Sequence, residues 1–154
     1  MVFEKATTKD IGALVDLRMA YVEEDHKELN KETQDKLRRV LPAYFEKHLN
    51  NDLFVYVARE DTIISCAFLV VTEKPANPSF ITGRTGTVYN VYTAQDYRRK
   101  GFAKHLMQLL LADAKKMELD YVDLKATENG HHLYKALGFK ESTSKYIPMK
   151  YLFD

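Results

Sequence analysis

The sequence predicts a mixed α/β domain, with a central twisted sheet of about six or seven strands flanked by helices. Three observations carry this. Apolar, β-branched runs recur around turn residues, as at Leu53–Arg59 and Ile63–Thr72 on either side of Asp61-Thr62. Other stretches repeat their apolar residues at helical spacing, most clearly Leu106, Leu109, Leu110, Ala114 and Met117. The run Thr87–Thr93 also passes through a basic, glycine-containing turn straight into that helix, with another apolar run after it. Two strands joined in this way within one sheet form a right-handed parallel crossover.

Taken in order, residues 2–6 read as a first strand. Thr7 or Thr8 caps a helix carrying Ile11, Leu14, Val15, Arg18, Met19 and Val22. Residues 31–49 form a second helix with Leu37, Val40, Leu41, Tyr44, Phe45 and Leu49 on one stripe. Pro42 lies inside it and predicts a kink or a break into two pieces. The strands Leu53–Arg59 and Ile63–Thr72 make a hairpin, and the polar, proline-rich segment from Glu73 to Ser79 reads as a mobile loop. A strand beginning near Gly86 leads into the helix 101–118, whose Lys115-Lys116 suits the negative end of its dipole. Tyr121–Ala126 is the next strand, and a short helix over Gly130–Leu137 stops at Gly138. The β-branched and aromatic content of Phe139–Phe153 predicts two final strands.

Bulk properties narrow the function. The 154 residues suit one domain over 1–154, long enough to bury a core. Lys and Arg number 23 against 22 Asp and Glu, so the net charge is +1 and no overall basic footprint points to nucleic acid or an anionic membrane. Cys66 is the single cysteine, so neither a disulfide framework nor a thiolate metal cluster forms within the chain. It sits in the apolar run Ile63–Val71 and reads as a small buried hydrophobe rather than a catalytic thiol. Glu4, Lys5, Lys9 and Asp10 interrupt any leader-like apolar stretch, and no run reaches membrane-spanning length, so a cytoplasmic setting is expected. His131 and His132 are adjacent on a helix and point about 100° apart, which does not suit one metal ion.

The most informative segment is Arg98-Arg99-Lys100-Gly101-Phe102-Ala103. The first amides of a helix lack intrahelical acceptors, the helix start carries partial positive charge, and a glycine admits an anion close to the backbone. A solvated basic loop is the plain reading of three such cations, and a polyanion site is the functional one. The turn lacks the Gly-Lys-Ser/Thr of the Walker loop and the three glycines of the dinucleotide fingerprint. Its spacing, Arg-x-x-Gly-x-Ala, resembles the pyrophosphate signature Gln/Arg-x-x-Gly-x-Gly/Ala of the GNAT superfamily of N-acetyltransferases. Leu133-Tyr134-Lys135-Ala136-Leu137-Gly138-Phe139 resembles a second element of that family, Leu-Tyr-x-x-x-Gly-Phe, and Tyr89–Thr93 looks like its splayed central strand. The likeness is firm over residues 86–140 and loose elsewhere.

The resemblance implies a GNAT-like fold with strands 4 and 5 splayed around acetyl-CoA. It implies that the amides of Arg99, Lys100, Gly101, Phe102, Ala103 and Lys104 cradle the pyrophosphate beside Arg98. Main-chain groups of Val91 and Thr93 would pair with the pantetheine arm, and an amide at Val91 or Tyr92 would face the thioester carbonyl. Asn129 would contact the cofactor, and Tyr134 would stand beside the sulfur. The implied reaction is attack of an amine on acetyl-CoA in a ternary complex, with a free amino acid, a polyamine, an aminoglycoside-like amine or a protein N-terminus as acceptor. A non-catalytic acyl-CoA sensing module is the alternative, although a sensor has no need of Tyr134. A homodimer through the sheets or C-terminal strands is left open.

An alkyl amine of pKa about 10.4 is only about 0.04% neutral at pH 7, so its proton needs an acceptor. Glu23, Glu24 and Asp25 end the first helix and offer one, with Glu24 the candidate; a solvated acidic helix end is the competing reading. Asn90 faces either the acceptor cleft or the packing helices, and Arg18 and Tyr21, one turn apart, are within reach of an acceptor.

Overall fold

The computed structural model describes residues 1–154. Its elements are β1 (Val2–Lys5), α1 (Ile11–Asp25), α2 (Lys31–His48), β2 (Leu53–Arg59), β3 (Ile63–Glu73), β4 (Arg84–Thr93), α3 (Phe102–Lys116), β5 (Val122–Asp123) and α4 (His131–Ala136). Side-chain alternation along β2 divides the interior in two. Leu53, Val55 and Val57 join Leu14, Met19 and Phe45 under α1 and α2. Tyr56 and Ala58 join Leu106, Met107 and Leu110 under α3. The sheet therefore lies between helices on both faces and is hydrophobic on each, as the long buried run in β3 requires.

The strands lie in chain order β1-β2-β3-β4-β5. Every neighbouring pair is antiparallel except β4–β5, which is parallel and joined through α3. The sheet thus has five strands rather than six or seven. The segment after Gly138 forms no strand, and Ile147, Met149 and Phe153 stand 83%, 93% and 90% exposed. Pro148 interrupts that apolar run and cannot donate to a ladder. The neighbouring edge is also short: β5 holds two residues instead of the six expected from Tyr121 to Ala126, because β4 turns away beyond Thr87↔Asp123.

The cause of that divergence lies in β4. Cys66 pairs with Tyr92 and Phe68 with Tyr89, so Ala67 alone faces both Asn90 and Val91. This is a β-bulge, and Asn90 adopts φ 51, the left-handed region that asparagine tolerates better than most residues. The extra residue resets the alternation. Val88 and Val91 both pack toward α3, whereas Tyr92 packs toward α1 and α2.

Helix α2 runs continuously through Pro42 and does not break. Asn30 caps it by accepting from the Thr33 amide at 2.8 Å, and Phe45, fully buried, anchors its inner face. The loop after β3, expected to be mobile, is tied at both ends. The Lys74 amide donates to the Gly83 carbonyl at 2.6 Å, and Thr82 Oγ1 donates to Asp120 at 2.6 Å. The Lys74 ammonium lies over the rings of Phe80 and Tyr121, 5.3 Å from each centroid.

Two predictions follow from this packing. Leu106→Ala, at a fully buried position in the α3 core, should destabilise the protein by ~3 kcal/mol in denaturant unfolding. Cys66 is fully buried, and burial pushes its thiol up to about 12. The folded protein should therefore resist iodoacetamide at pH 8 and react only after unfolding; labelling of native protein at a free-thiol rate would contradict the buried placement.

Candidate acyl-transfer site

At the end of β4 the chain must leave the sheet and start a helix within a few residues. Arg99 and Gly101 do this with φ 62 and φ 84, both left-handed, so the turn alternates backbone hands and directs its amides inward. A Cβ on Gly101 would meet no protein atom within 4 Å, so glycine is required by its φ and by whatever approaches from outside. No amide from Arg99 to Lys104 donates to a protein acceptor; the first α3 bond is His105 to the Gly101 carbonyl, at 3.0 Å. Six neighbouring donors at a positive helix end, with no acidic side chain in the first turn, form a site for an anion.

The three cations divide their work. Arg98 is committed inside the protein: its Nε donates to the Thr93 carbonyl at 2.8 Å and its Nη2 to Glu24 Oε1 at 2.6 Å. Its guanidinium lies 5.5 Å from the Tyr92 ring centroid. The bond to Glu24 raises the pKa of Arg98, which stays charged. Arg98 thereby fastens the end of β4 to the end of α1 and brings Glu24 to the mouth of the splay. Lys100 rests over the Tyr97 ring at 5.4 Å. Arg99, Lys100 and Lys104 are exposed, while Phe102 and Ala103 are partly buried.

Val91, Tyr92 and Thr93 lie on the part of β4 that β5 does not pair, so one edge of this stretch is open. Asn90 is 3% exposed, and its side chain joins two elements. Its Oδ1 accepts from Arg18 Nη1 at 3.1 Å, and its Nδ2 lies 3.6 Å from Cys66 Sγ. It therefore faces α1. This Arg18–Asn90–Cys66 link has no local signal in the sequence, since Arg18 and Asn90 are 72 positions apart.

On the far side of the splay, Tyr134 packs edge-on against Phe139, with centroids 5.9 Å apart. Gly130 permits this placement: a Cβ there would lie 3.0 Å from the Tyr134 ring. Burial, with a smaller contribution from Tyr21, pushes the Tyr134 phenol up to about 12. Asn129 is exposed on the turn before α4, and His131 is bonded to Glu141 at 3.0 Å. Beside β5 and α4 an open cleft of ≈ 1210 Å³ is lined by Leu119, Val122, Leu124, Tyr134, Leu137 and Phe139. It adjoins the free edge of β5 and does not reach the amides of the basic turn.

The arrangement offers free amides at a helix start, an open strand edge and a neutral, partly buried phenol around one splay. Comparison with known proteins agrees with it. A model of the acetyltransferase (GNAT) family matches residues 14–139. A predicted acetyltransferase from Clostridium acetobutylicum, crystallised with acetyl-CoA, is 30% identical, with a TM-score of 0.83 over 97% of this chain and 95% of that one. A GCN5-related N-acetyltransferase from Ralstonia eutropha JMP134 is 23% identical, with a TM-score of 0.77 over 96% and 97% of the two chains. The ribosomal-protein-alanine N-acetyltransferase of Brucella melitensis biovar Abortus 2308 shares the fold at 19% identity, with a TM-score of 0.68 over 97% and 100%. No curated protein matches the sequence. With the family model spanning most of the chain and the splay and turn in place, the chain belongs to the GNAT acetyltransferase family.

Proposed function

We propose that this protein is an N-acetyltransferase that passes the acetyl group of acetyl-CoA directly to a primary amine while both are bound, with residues 1–154 acting as one domain. The observation that supports this most is the row of uncommitted amides from Arg99 to Lys104 on a left-handed Gly101 turn, beside an unpaired strand edge. When bound, acetyl-CoA supplies an activated acetyl thioester. The amides of Arg99, Lys100, Gly101, Phe102, Ala103 and Lys104 hold the pyrophosphate. Arg98 adds positive charge there but keeps its bonds to Glu24 and Thr93. Main-chain groups of Val91 and Thr93 extend along the pantetheine, and the amide of Val91 or Tyr92 donates to the thioester carbonyl. The Asn129 side chain makes no protein hydrogen bond and is free to meet the cofactor.

The amine nitrogen bonds to the acetyl carbon as the C–S bond breaks. Tyr134 donates a hydrogen bond to the departing sulfur. A thiolate near pKa 8.5 is weaker as a base than a phenolate near 12, so complete proton transfer from Tyr134 is uphill by about 5 kcal/mol. Tyr134 is thus a donor that remains neutral. Glu24 accepts the amine proton through Oε2, since Arg98 occupies Oε1. The thiolate and the protonated base then exchange the proton with solvent.

Two variants test the reading. Gly101→Glu places a carboxylate where the pyrophosphate sits and strains a left-handed residue, so calorimetric affinity for acetyl-CoA and for free CoA should fall at least ~100-fold; unchanged affinity would remove the pyrophosphate assignment. Tyr134→Phe should leave acetyl-CoA affinity within a few-fold and lower kcat ~100-fold. Equal kcat in the two proteins would remove Tyr134 from the catalytic step. Because the folded phenol titrates above its usual value, kcat/KM of the wild type should show no Tyr134-dependent descent through the ordinary phenol range near pH 10.

A further inference from the structure

We infer that Arg18 recognises the acceptor, and that the acceptor is an amine carrying a carboxylate, of the free amino-acid class. The inference rests on the N-acetyltransfer reading above and names its second substrate.

Three of the arginines, Arg38, Arg59 and Arg98, each pair with a carboxylate. Arg84 donates to the Met117 carbonyl, and Arg39 and Arg99 stand exposed. Arg18 alone is both partly buried and without an acidic partner. Two carboxylates are already engaged, Glu24 by Arg98 and Asp52 by His48 at 2.7 Å. A partly desolvated cation without a counter-charge is unfavourable until an anion arrives.

The guanidinium is also held in place. Nη1 is bonded to Asn90 Oδ1 and the plane lies 5.7 Å from the Tyr21 ring centroid, while the remaining N–H groups have no protein acceptor. A planar fork fixed on one side matches the two oxygens of a carboxylate. A phosphate dianion would call for a second cation.

The location makes the charge useful. Asn90 precedes Val91 and Tyr92, one of whose amides is assigned to the thioester carbonyl. On the other side, Tyr21 stands close enough to Tyr134 to raise its pKa. Arg18 therefore sits at the bulge beside Tyr21, where a carboxylate bound to it presents a neighbouring amino group toward the acetyl carbon. The amine nitrogen then bonds to that carbon, the C–S bond breaks and the carboxylate is unchanged. Tyr44 and Tyr89, 38% and 51% exposed, supply aromatic walls for the acceptor's side chain.

The test is thiol release from acetyl-CoA with a panel of free amino acids, the matching amino-acid amides, decarboxylated amines and O-phosphoethanolamine. The wild type should favour the free acid over its amide by ~30-fold in kcat/KM. Arg18→Gln should erase that preference chiefly through KM and Arg18→Lys should restore part of it; each keeps an N–H donor for Asn90, so both should bind acetyl-CoA within a few-fold of the wild type. Equal use of acid and amide by the wild type, preference for the phosphate, or a preference that survives Arg18→Gln would each overturn the inference. Saturation-transfer NMR of the amino-acid panel on CoA-saturated protein separates the two readings. If no amine is acetylated yet amino acids bind in an Arg18-dependent manner, the anion site stands and the N-acetyltransfer reading fails. If no amino acid binds and none is acetylated, the anion site falls.

Discussion

The bulge at Asn90 is the constraint on which the rest of the molecule depends. It places one extra residue in β4 opposite Ala67 and so ends the pairing of β4 with β5 after two residues. A left-handed backbone costs an ordinary residue about 1–2 kcal/mol. A hydrogen bond to a charged donor contributes about 1.5–3 kcal/mol, so the Arg18 guanidinium on Asn90 offsets the strain. Asn90 Nδ2 also meets Cys66 Sγ at 3.6 Å on the same side. Helix α1 thus stabilises the distortion that opens the sheet, and the opening is what the proposed chemistry uses.

Around that opening, two features keep opposite charges at useful positions. Arg98 joins Thr93 at the end of β4 to Glu24 at the end of α1, leaving the turn after it to present amides rather than its own side chain. The free amides continue into α3, whose opposite end carries Lys115 and Lys116 beside the negative pole of the dipole. Helix α3 is anchored by fully buried Leu106, Met107 and Leu110, so the anion site sits on a rigid element. Tyr134 supplies the contrasting environment. Its phenol is partly buried, kept neutral and cleared by Gly130.

The site is therefore divided between two layers of the fold. The helices α1 and α2 face one side of the sheet with Arg18, Tyr21, Glu24 and Tyr44. The α3 turn and α4 face the other with the amides and Tyr134. The two sets meet across the splay.

Much of this was legible in the residues. Helical spacing in Leu106–Ala114, apolar β-branched runs on either side of Asp61-Thr62, and the spacing of Arg98, Gly101 and Ala103 are local patterns, and they located α3, the hairpin and the turn. Gly138, with φ 100, ends α4 as its type implies. What the sequence could not contain was anything that depends on two distant segments meeting. The length of β5 is decided by where β4 diverges, so a strand-like stretch of six residues yields a strand of two. Pro42 is carried through α2 because Phe45 and its neighbours hold the helix on the core, which local propensity does not register. The apolar tail has strand-like composition, but only a partner edge could make it a strand. The bond from Arg18 to Asn90 likewise exists only because folding brings α1 onto the bulge. Local periodicity by itself determined the elements and the turn; tertiary contact alone decided which strands paired, which carboxylate Arg98 took, and which cation was left without a partner.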